Sequence, residues 1–286
     1  MAQDIVIAEH EGVLTIRLTR LAKKNALTNG MYDELADALE RAETDRAIRA
    51  VVLRSEGDTF TAGNDLADFA EQSAGRGVAA SEEPAGQGSE EPAGQGSEEA
   101  AGQRSEASEE KPVQRYIRAL VDSSTPIVAA VQGKAVGIGT TMLLHCDYVL
   151  VTDDAQLSTP FVNLALVPEA ASSRLLTQRI GHVRAFGMFA LGEALDAQSA
   201  VADGVANAIV PADELHARAH EIAVRLAAQP AGSLTATKRL MRDVGPTLEQ
   251  IDAESALFLE RLGSAEALEA FTAFREKRRP DFAQFS

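Results

Sequence analysis

Two apolar runs restrict the fold of this chain more than any other feature. Ala50–Ser55 ("AVVLRS") and Pro126–Gly133 ("PIVAAVQG") are short, nearly continuous in apolar character and rich in β-branched residues. A strand that is apolar on both sides must be covered on both sides, as a parallel strand is when other layers pack over each face. Each run is soon followed by a glycine turn, "TAGND" at Thr61–Asp65 and "GKAVGIG" at Gly133–Gly139. Glycine there lets the backbone turn sharply and come close to a ligand.

The flanking sequence fits an α/β core. "DIVIAEHEGVLTIRLTR" reads as two strands joined at Glu11-Gly12, and Met31, Leu35, Leu39 and Ala42 recur at helical spacing in a helix ending near Thr44. A helix from about Val113 to Val121, a short one in "TTMLLHC" and a strand in "YVLVT" follow. From Glu169 onward the pattern is mostly helical, which suggests a core over residues 1–205 and a helical region over 206–286. One segment does not belong to either. "SEEPAGQG" at Ser81–Gly88 recurs at Ser89–Gly96 and decays to "SEEAAGQR" at Ser97–Arg104. With nothing apolar to bury, this insertion (about residues 73–111) is expected to be a disordered, solvated loop.

Charge and motifs exclude several functions. A net charge of −16 disfavours nucleic acid or an anionic membrane as partner. Cys146 is the single cysteine, so neither an intrachain disulfide nor a cysteine metal cluster is expected, and a cytoplasmic location fits best. The N-terminus, with Asp4 and Glu9, does not read as a secretory signal. Pro126–Val151, interrupted by Lys134, His145 and Asp147, is too broken to span a bilayer. Gly133-Lys134 lacks the rest of a P-loop, Gly137-Ile138-Gly139 lacks the third glycine of a dinucleotide fingerprint, and neither G-x-S-x-G nor H-E-x-x-H occurs. No metal site is expected.

What remains is a pair of glycine turns and one acid. Two turns in the same relation to two strands of one sheet could aim their N–H groups at a single point, an arrangement worth about 3 kcal/mol per donor in stabilising an oxyanion. Glu169, in "LVPEAASS", lies between strand-like and helix-like sequence. Its own surroundings leave two readings: an acid at a helix N-terminus, or a base directed into a cleft.

The ordered segments "TIRLTRLAKKNALT", "FTAGNDL", "PIVAAVQGKAVGIGTTMLLHCD", "AQLSTPFVNLALVPEAASS" and "AFREKRRPDF" together resemble the crotonase superfamily, also called enoyl-CoA hydratase/isomerase. The resemblance runs from about Ile5 to Phe282 and leaves out the repeat insertion. It implies an α/β spiral of ββα repeats with C-terminal helices that trimerise, in a homotrimer or hexamer. It also implies an acyl-CoA substrate, with no cofactor beyond that thioester. Matched residue by residue, Ala62 and Ile138 would be the oxyanion donors, with Gly137 and Gly139 beside the second. Lys24, Asn25 and Ala26 would receive the adenine and pantetheine portion of CoA, and Lys277, in the terminal helix, its phosphates. Gly63, Asn64, Asp65, Leu66 and Phe161 would complete the substrate-binding set, although Asp65 also reads as the N-cap of a short helix and Asn64 as a turn residue.

Hydratases of this superfamily resemble one another in two catalytic glutamates, and here those positions are Thr141 and Phe161. Neither can replace a carboxylate in proton transfer. Glu169 instead matches the lone base of the peroxisomal-type Δ3,Δ2-enoyl-CoA isomerases and their bacterial relatives. That resemblance implies a shift of a 3-enoyl double bond to trans-2, with one carboxyl group moving a proton from C2 to C4. Phe161, Leu164, Leu166 and Val167 would keep water away and raise the acid's pKa. Other crotonase reactions (hydration, thioester hydrolysis, decarboxylation) and a catalytically silent acyl-CoA-binding subunit are the alternatives.

Overall fold

The computed structural model describes residues 3–65 and 110–285. β1 (Ile5–His10) and β2 (Val13–Leu18) pair antiparallel around the Glu11-Gly12 turn. Both turn residues have positive φ (52° and 73°), as a two-residue hairpin with the native strand twist requires. α1 (Asn29–Thr44) follows; the side chain of its N-cap, Thr28, accepts from the Met31 N–H, and Met31, Leu35, Leu39 and Ala42 line its buried face.

A two-strand unit then repeats. β3 (Ala50–Ser55) is followed by β4 (Thr59–Thr61) and, later, α2 (Pro112–Asp122). β5 (Ile127–Val131) is followed by β6 (Lys134–Val136) and α3 (Ile138–Thr141), which tightens into a 3₁₀ turn at Met142–His145. β7 (Tyr148–Val151) is followed by β8 (Gln156–Ser158), α4 (Ser172–Ile180) and α5 (His182–Phe186). The remaining elements are β9 (Leu195–Asp196), α6 (Ala197–Ala202), β10 (Ala208–Ile209), α7 (Leu215–Ala227), α8 (Ala231–Met241), α9 (Val244–Leu262) and α10 (Ala265–Arg275). The first strand of each unit enters a six-stranded sheet, β1-β2-β3-β5-β7-β10, and the second enters a four-stranded sheet, β4-β6-β8-β9. This is the ββα spiral of the crotonase fold.

The two opening runs are buried on both faces as expected. Val51, Leu53, Ile127, Ala129 and Val131 face a core shared with α1 and α2, while Ala50, Val52, Val128 and Ala130 pack against Leu215, Ala219, Ile222 and Ala223 of α7. Residues 206–227 therefore belong to the sheet layers: β10 pairs with β7 in parallel, and α7 covers the outer face. The expected division near residue 205 falls inside this packing, because a two-residue strand carries no readable periodicity. The strand within "GKAVGIG" was likewise hidden, since Lys134–Val136 is too short to show alternation. The repeat insertion, apart from Glu110 and Lys111, lies outside the described residues, as do Leu66 and the helix expected after Gly63. No helix among the described residues is long and apolar enough to cross a membrane.

Candidate active site

The small sheet sets the two glycine turns side by side, because β4 and β6 are neighbours in it and each turn leaves the end of one strand. The contact between the turns explains their glycines. At Gly63 (φ 89°) a Cβ would come to 2.7 Å from the Val136 carbonyl oxygen, and at Gly139 one would meet Thr61 Cγ2 at 2.5 Å. Only residues without a side chain allow this approach.

Hydrogen bonding then decides which N–H groups stay available. In the second turn, the Gly137 N–H donates to Ser158 O (2.8 Å), while the Thr140 and Thr141 N–H groups return to Gly137 O (2.9 and 3.0 Å). The N–H groups of Ile138 and Gly139, at the start of α3, meet no acceptor among the described residues. In the first turn the Ala62 N–H donates to Lys24 O at 2.9 Å, so Ala62 is not the oxyanion donor the sequence suggested. Leu27 and Asn64 form a parallel bridge in which Leu27 bonds Gly63 O (2.8 Å) and the Asp65 N–H (2.9 Å). That pairing turns the N–H of Asn64 itself away from Leu27, and it meets no acceptor among the described residues. Among the described residues the N–H groups left without an acceptor in the two turns are thus those of Asn64, in the first, and of Ile138 and Gly139, in the second. The Asn64 side chain is held by the hydroxyl of buried Tyr32, which donates to its Oδ1.

Several candidates prove to build the turn and do not face the cleft with their side chains. Asn25 is 1% exposed, and its amide donates to Glu56 O and Thr59 O (2.9 Å each), so its side chain is a staple of β4. Ala26 O accepts from Arg20, which also pairs with Asp65 at 2.7 Å. Asp65 is thus committed to an ion pair, and its N-cap reading concerns residues outside those described. Lys24 is exposed and pairs with Asp58 at 2.8 Å. Phe161 is buried against Phe189 (centroids 6.0 Å apart) and belongs to the core, where its carbonyl anchors the Leu164 and Leu166 N–H groups. Lys277 is exposed just beyond α10 in a left-handed conformation (φ 54°), outside the helix the sequence assigned it to.

Glu169 does face the donors' side of the molecule. It is 9% exposed and shares a cleft with Asn64, with Ile117 of α2 and with Phe258 and Leu262 of α9. Thr141 Oγ1 donates to Glu169 Oε1 at 2.5 Å, tying the acid to α3, the helix that starts at Ile138. Burial pushes the carboxyl up to about 8; the Thr141 hydrogen bond opposes this by favouring the charged form, and the charge of Glu254 adds to it. The helix-end reading fails locally. α4 starts at Ser172, after two left-handed alanines, Ala170 (φ 58°) and Ala171 (φ 56°), and the carboxylate is spent on Thr141. Non-glycine residues in that region cost on the order of 1 kcal/mol each or more, so surrounding contacts must enforce the turn. One is the bond between His145 Nε2 and Ala170 O at 2.9 Å. A carbonyl only accepts, so Nε2 carries the proton, and burial holds this imidazole neutral, down to about 4.

A larger cavity lies beyond His145, between α4 and α8, lined in part by Arg174, Arg179, Lys238 and Arg242. Its cations are already engaged: Lys238 with Asp147 and Thr125 O, Arg179 with Leu144 O, Arg242 with Asp147 and Arg174 with Asp243. It holds none of the free backbone donors. Sequence reasoning missed Thr141 as a partner of the acid, Tyr32 as the clamp on Asn64, and α9 as a wall of the cleft. The periodicity of α9 announced a helix but gave no sign of what it covers.

The family model described as Enoyl-CoA hydratase/isomerase matches residues 8–90 and 92–285. The Mycobacterium tuberculosis protein named "Probable enoyl-CoA hydratase echA6" is 32% identical over 97% of this chain and 98% of its own length. Enoyl-CoA delta isomerase 2 of Rattus norvegicus is 30% identical over 84% of this chain, which spans about half of that protein (55%). Among solved structures, an enoyl-CoA hydratase/isomerase from Pseudoalteromonas atlantica superposes with a TM-score of 0.82 at 36% identity, covering 98% of this chain and 100% of the other.

Proposed function

This chain belongs to the enoyl-CoA hydratase/isomerase family, and from that premise we propose that it shifts the double bond of a 3-enoyl-CoA to the trans-2 position with Glu169 as its one base. The carrying observation is the cleft: among the described residues that line it, Glu169 is the only carboxylic acid, and its hydrogen-bond partner Thr141 and the buried Phe161 occupy the positions that, by resemblance, are glutamates in hydratases.

The chemistry follows from the groups present. The thioester oxygen accepts from the Asn64 and Ile138 N–H groups, which lowers the cost of taking a proton from C2. Ionised Glu169 removes that proton, the electron pair delocalises over a dienolate, and the same carboxyl returns the proton at C4. No atom is gained or lost, so no water and no further cofactor is required. A carboxyl near 8 is a stronger base than an ordinary one and is still partly ionised at neutral pH. The apolar side chains of Ile117, Phe258 and Leu262 keep the dienolate from solvent. In this reading CoA runs along Lys24–Ala26, beside the Ala62–Lys24 contact, and Lys277 meets its phosphates. The chain works in the cytoplasm as a trimer or a pair of trimers. Leu240 and Met241 support such assembly, being 89% and 81% exposed on α8.

The test is Glu169→Gln assayed on 3-enoyl-CoA and 2-enoyl-CoA in parallel. Loss of double-bond migration by about 10²–10⁴-fold is expected; retained turnover would remove Glu169 as the base. Hydration of 2-enoyl-CoA exceeding isomerisation in the unaltered enzyme would favour the activity named for the mycobacterial relative.

A further inference from the structure

A second buried acid stands behind the first. Glu254, midway along α9, is 5% exposed, and its neighbour Ser255 lines the cleft. Its Oε1 accepts from the Ser173 N–H at 3.1 Å and from the Ser173 hydroxyl. Gln250, one turn earlier on α9, donates to Ser173 Oγ at 3.1 Å. These contacts converge on the start of α4, directly after the two left-handed alanines that follow Glu169. Yet Glu254 Oε2 is buried and meets no donor among the described residues. A neutral glutamine could cap α4 almost as well, without burying a charge that is only half satisfied. The acid at this position asks for another role.

We propose that Glu254 is a positioning residue for Glu169: reaching across from α9, it holds the turn that aims the catalytic carboxyl and places a second negative charge behind it. The titratable and polar groups around Glu169 and its turn are the Thr141 hydroxyl bonded to it, the buried Tyr116 phenol and Glu254 acting on it through space, the neutral His145 bonded to Ala170 O, and Lys111 on the cleft wall. The charge of Glu254 opposes ionisation of Glu169 and so strengthens it as a base. The helix that walls the acyl cleft thereby also tunes the proton transfer, and a ligand that displaces α9 changes both.

The inference rests on Glu169 as base only in its kinetic arm. Glu254→Gln keeps shape and one acceptor but removes the charge. It is expected to move the acidic limb of the kcat/KM profile down by roughly one pH unit. A merely structural role would lower activity at every pH without moving the midpoint. Glu254→Asp keeps the charge but withdraws it from Ser173; it is expected to lower kcat about tenfold with the midpoint unmoved, and an unchanged kcat would overturn the positioning role. The Asp variant carries the test if the Gln variant does not fold. Titration of the Glu169 carboxyl by ¹³C NMR, assigned with Glu169→Gln, reads the coupling without turnover. A midpoint equal in the Glu254→Gln and unaltered proteins overturns the inference, whereas isomerisation surviving Glu169→Gln overturns the proposed function and leaves the NMR shift standing.

Discussion

The two sheets of this molecule do opposite things. In the large sheet the central strands β3 and β5 carry small and β-branched side chains in full register, buried on both faces. In the small sheet the strands are two or three residues long and end in turns with unpaired N–H groups, close glycine contacts and, beyond β8, left-handed alanines beside a buried acid. The free backbone donors and the left-handed alanines of the candidate site lie at the ends of the small sheet, and the large sheet supplies the packing behind them. Substitutions in the two layers should therefore separate activity from stability.

The sharpest separation is expected at Glu169. Glu169→Gln should cost about 10²–10⁴-fold in turnover yet gain stability. The carboxyl's folded pKa, about 8, lies above its ordinary value of 4.5, so its contribution to stability is complete below about 4.5 and is lost as pH rises through 8. Thermal unfolding of the unaltered protein should thus weaken toward pH 9 more than that of the variant, by on the order of a few kcal/mol. Equal pH slopes would break the contrast between the layers. Gly63→Ala comes next: the added Cβ meets the Val136 carbonyl, and a shifted Asn64 N–H should lower kcat by about 10²-fold, with a fall in Tm measurable in the same sample.

In the large sheet, Val128→Ala should cost roughly 2–3 kcal/mol of stability and leave kcat within about twofold wherever the protein remains folded. A large activity loss there would show that the layers are coupled. The smallest effect belongs to Thr141→Val. Removing the hydrogen bond that favours the Glu169 carboxylate should raise the acidic midpoint of kcat/KM by less than about one unit, and a fall in that midpoint would reverse the role given to Thr141.

Much of the fold was legible because its signals are local. Double-sided burial of "AVVLRS" and "PIVAAV", the Glu11-Gly12 hairpin and the α1 stripe all follow from periodicity and turn chemistry within a few residues. The site was legible in its parts: two glycine turns, an acid after "VP", and two absent carboxylates. The choice of donor was not. Ala62 and Asn64 are two positions apart in one turn, and which N–H is free depends on Lys24 and Leu27, residues brought there by the chain before α1. Asn25 and Phe161 were assigned to the site by resemblance, and their side chains belong to the scaffold.

The sequence and the resemblance it carries supplied the chemistry the chain has at hand: Glu169 as an acid, Thr141 and Phe161 at the two positions that match hydratase glutamates, glycines where backbone must approach, and apolar runs that demand layers on both faces. Folding alone decided the partners. Thr141 meets Glu169 across 28 residues and Glu254 reaches Ser173 across 81. Desolvation, and with it the basicity of Glu169, is a property of everything that surrounds a group in space. A linear pattern records which side chains a chain owns, but not which of them exclude water from one another.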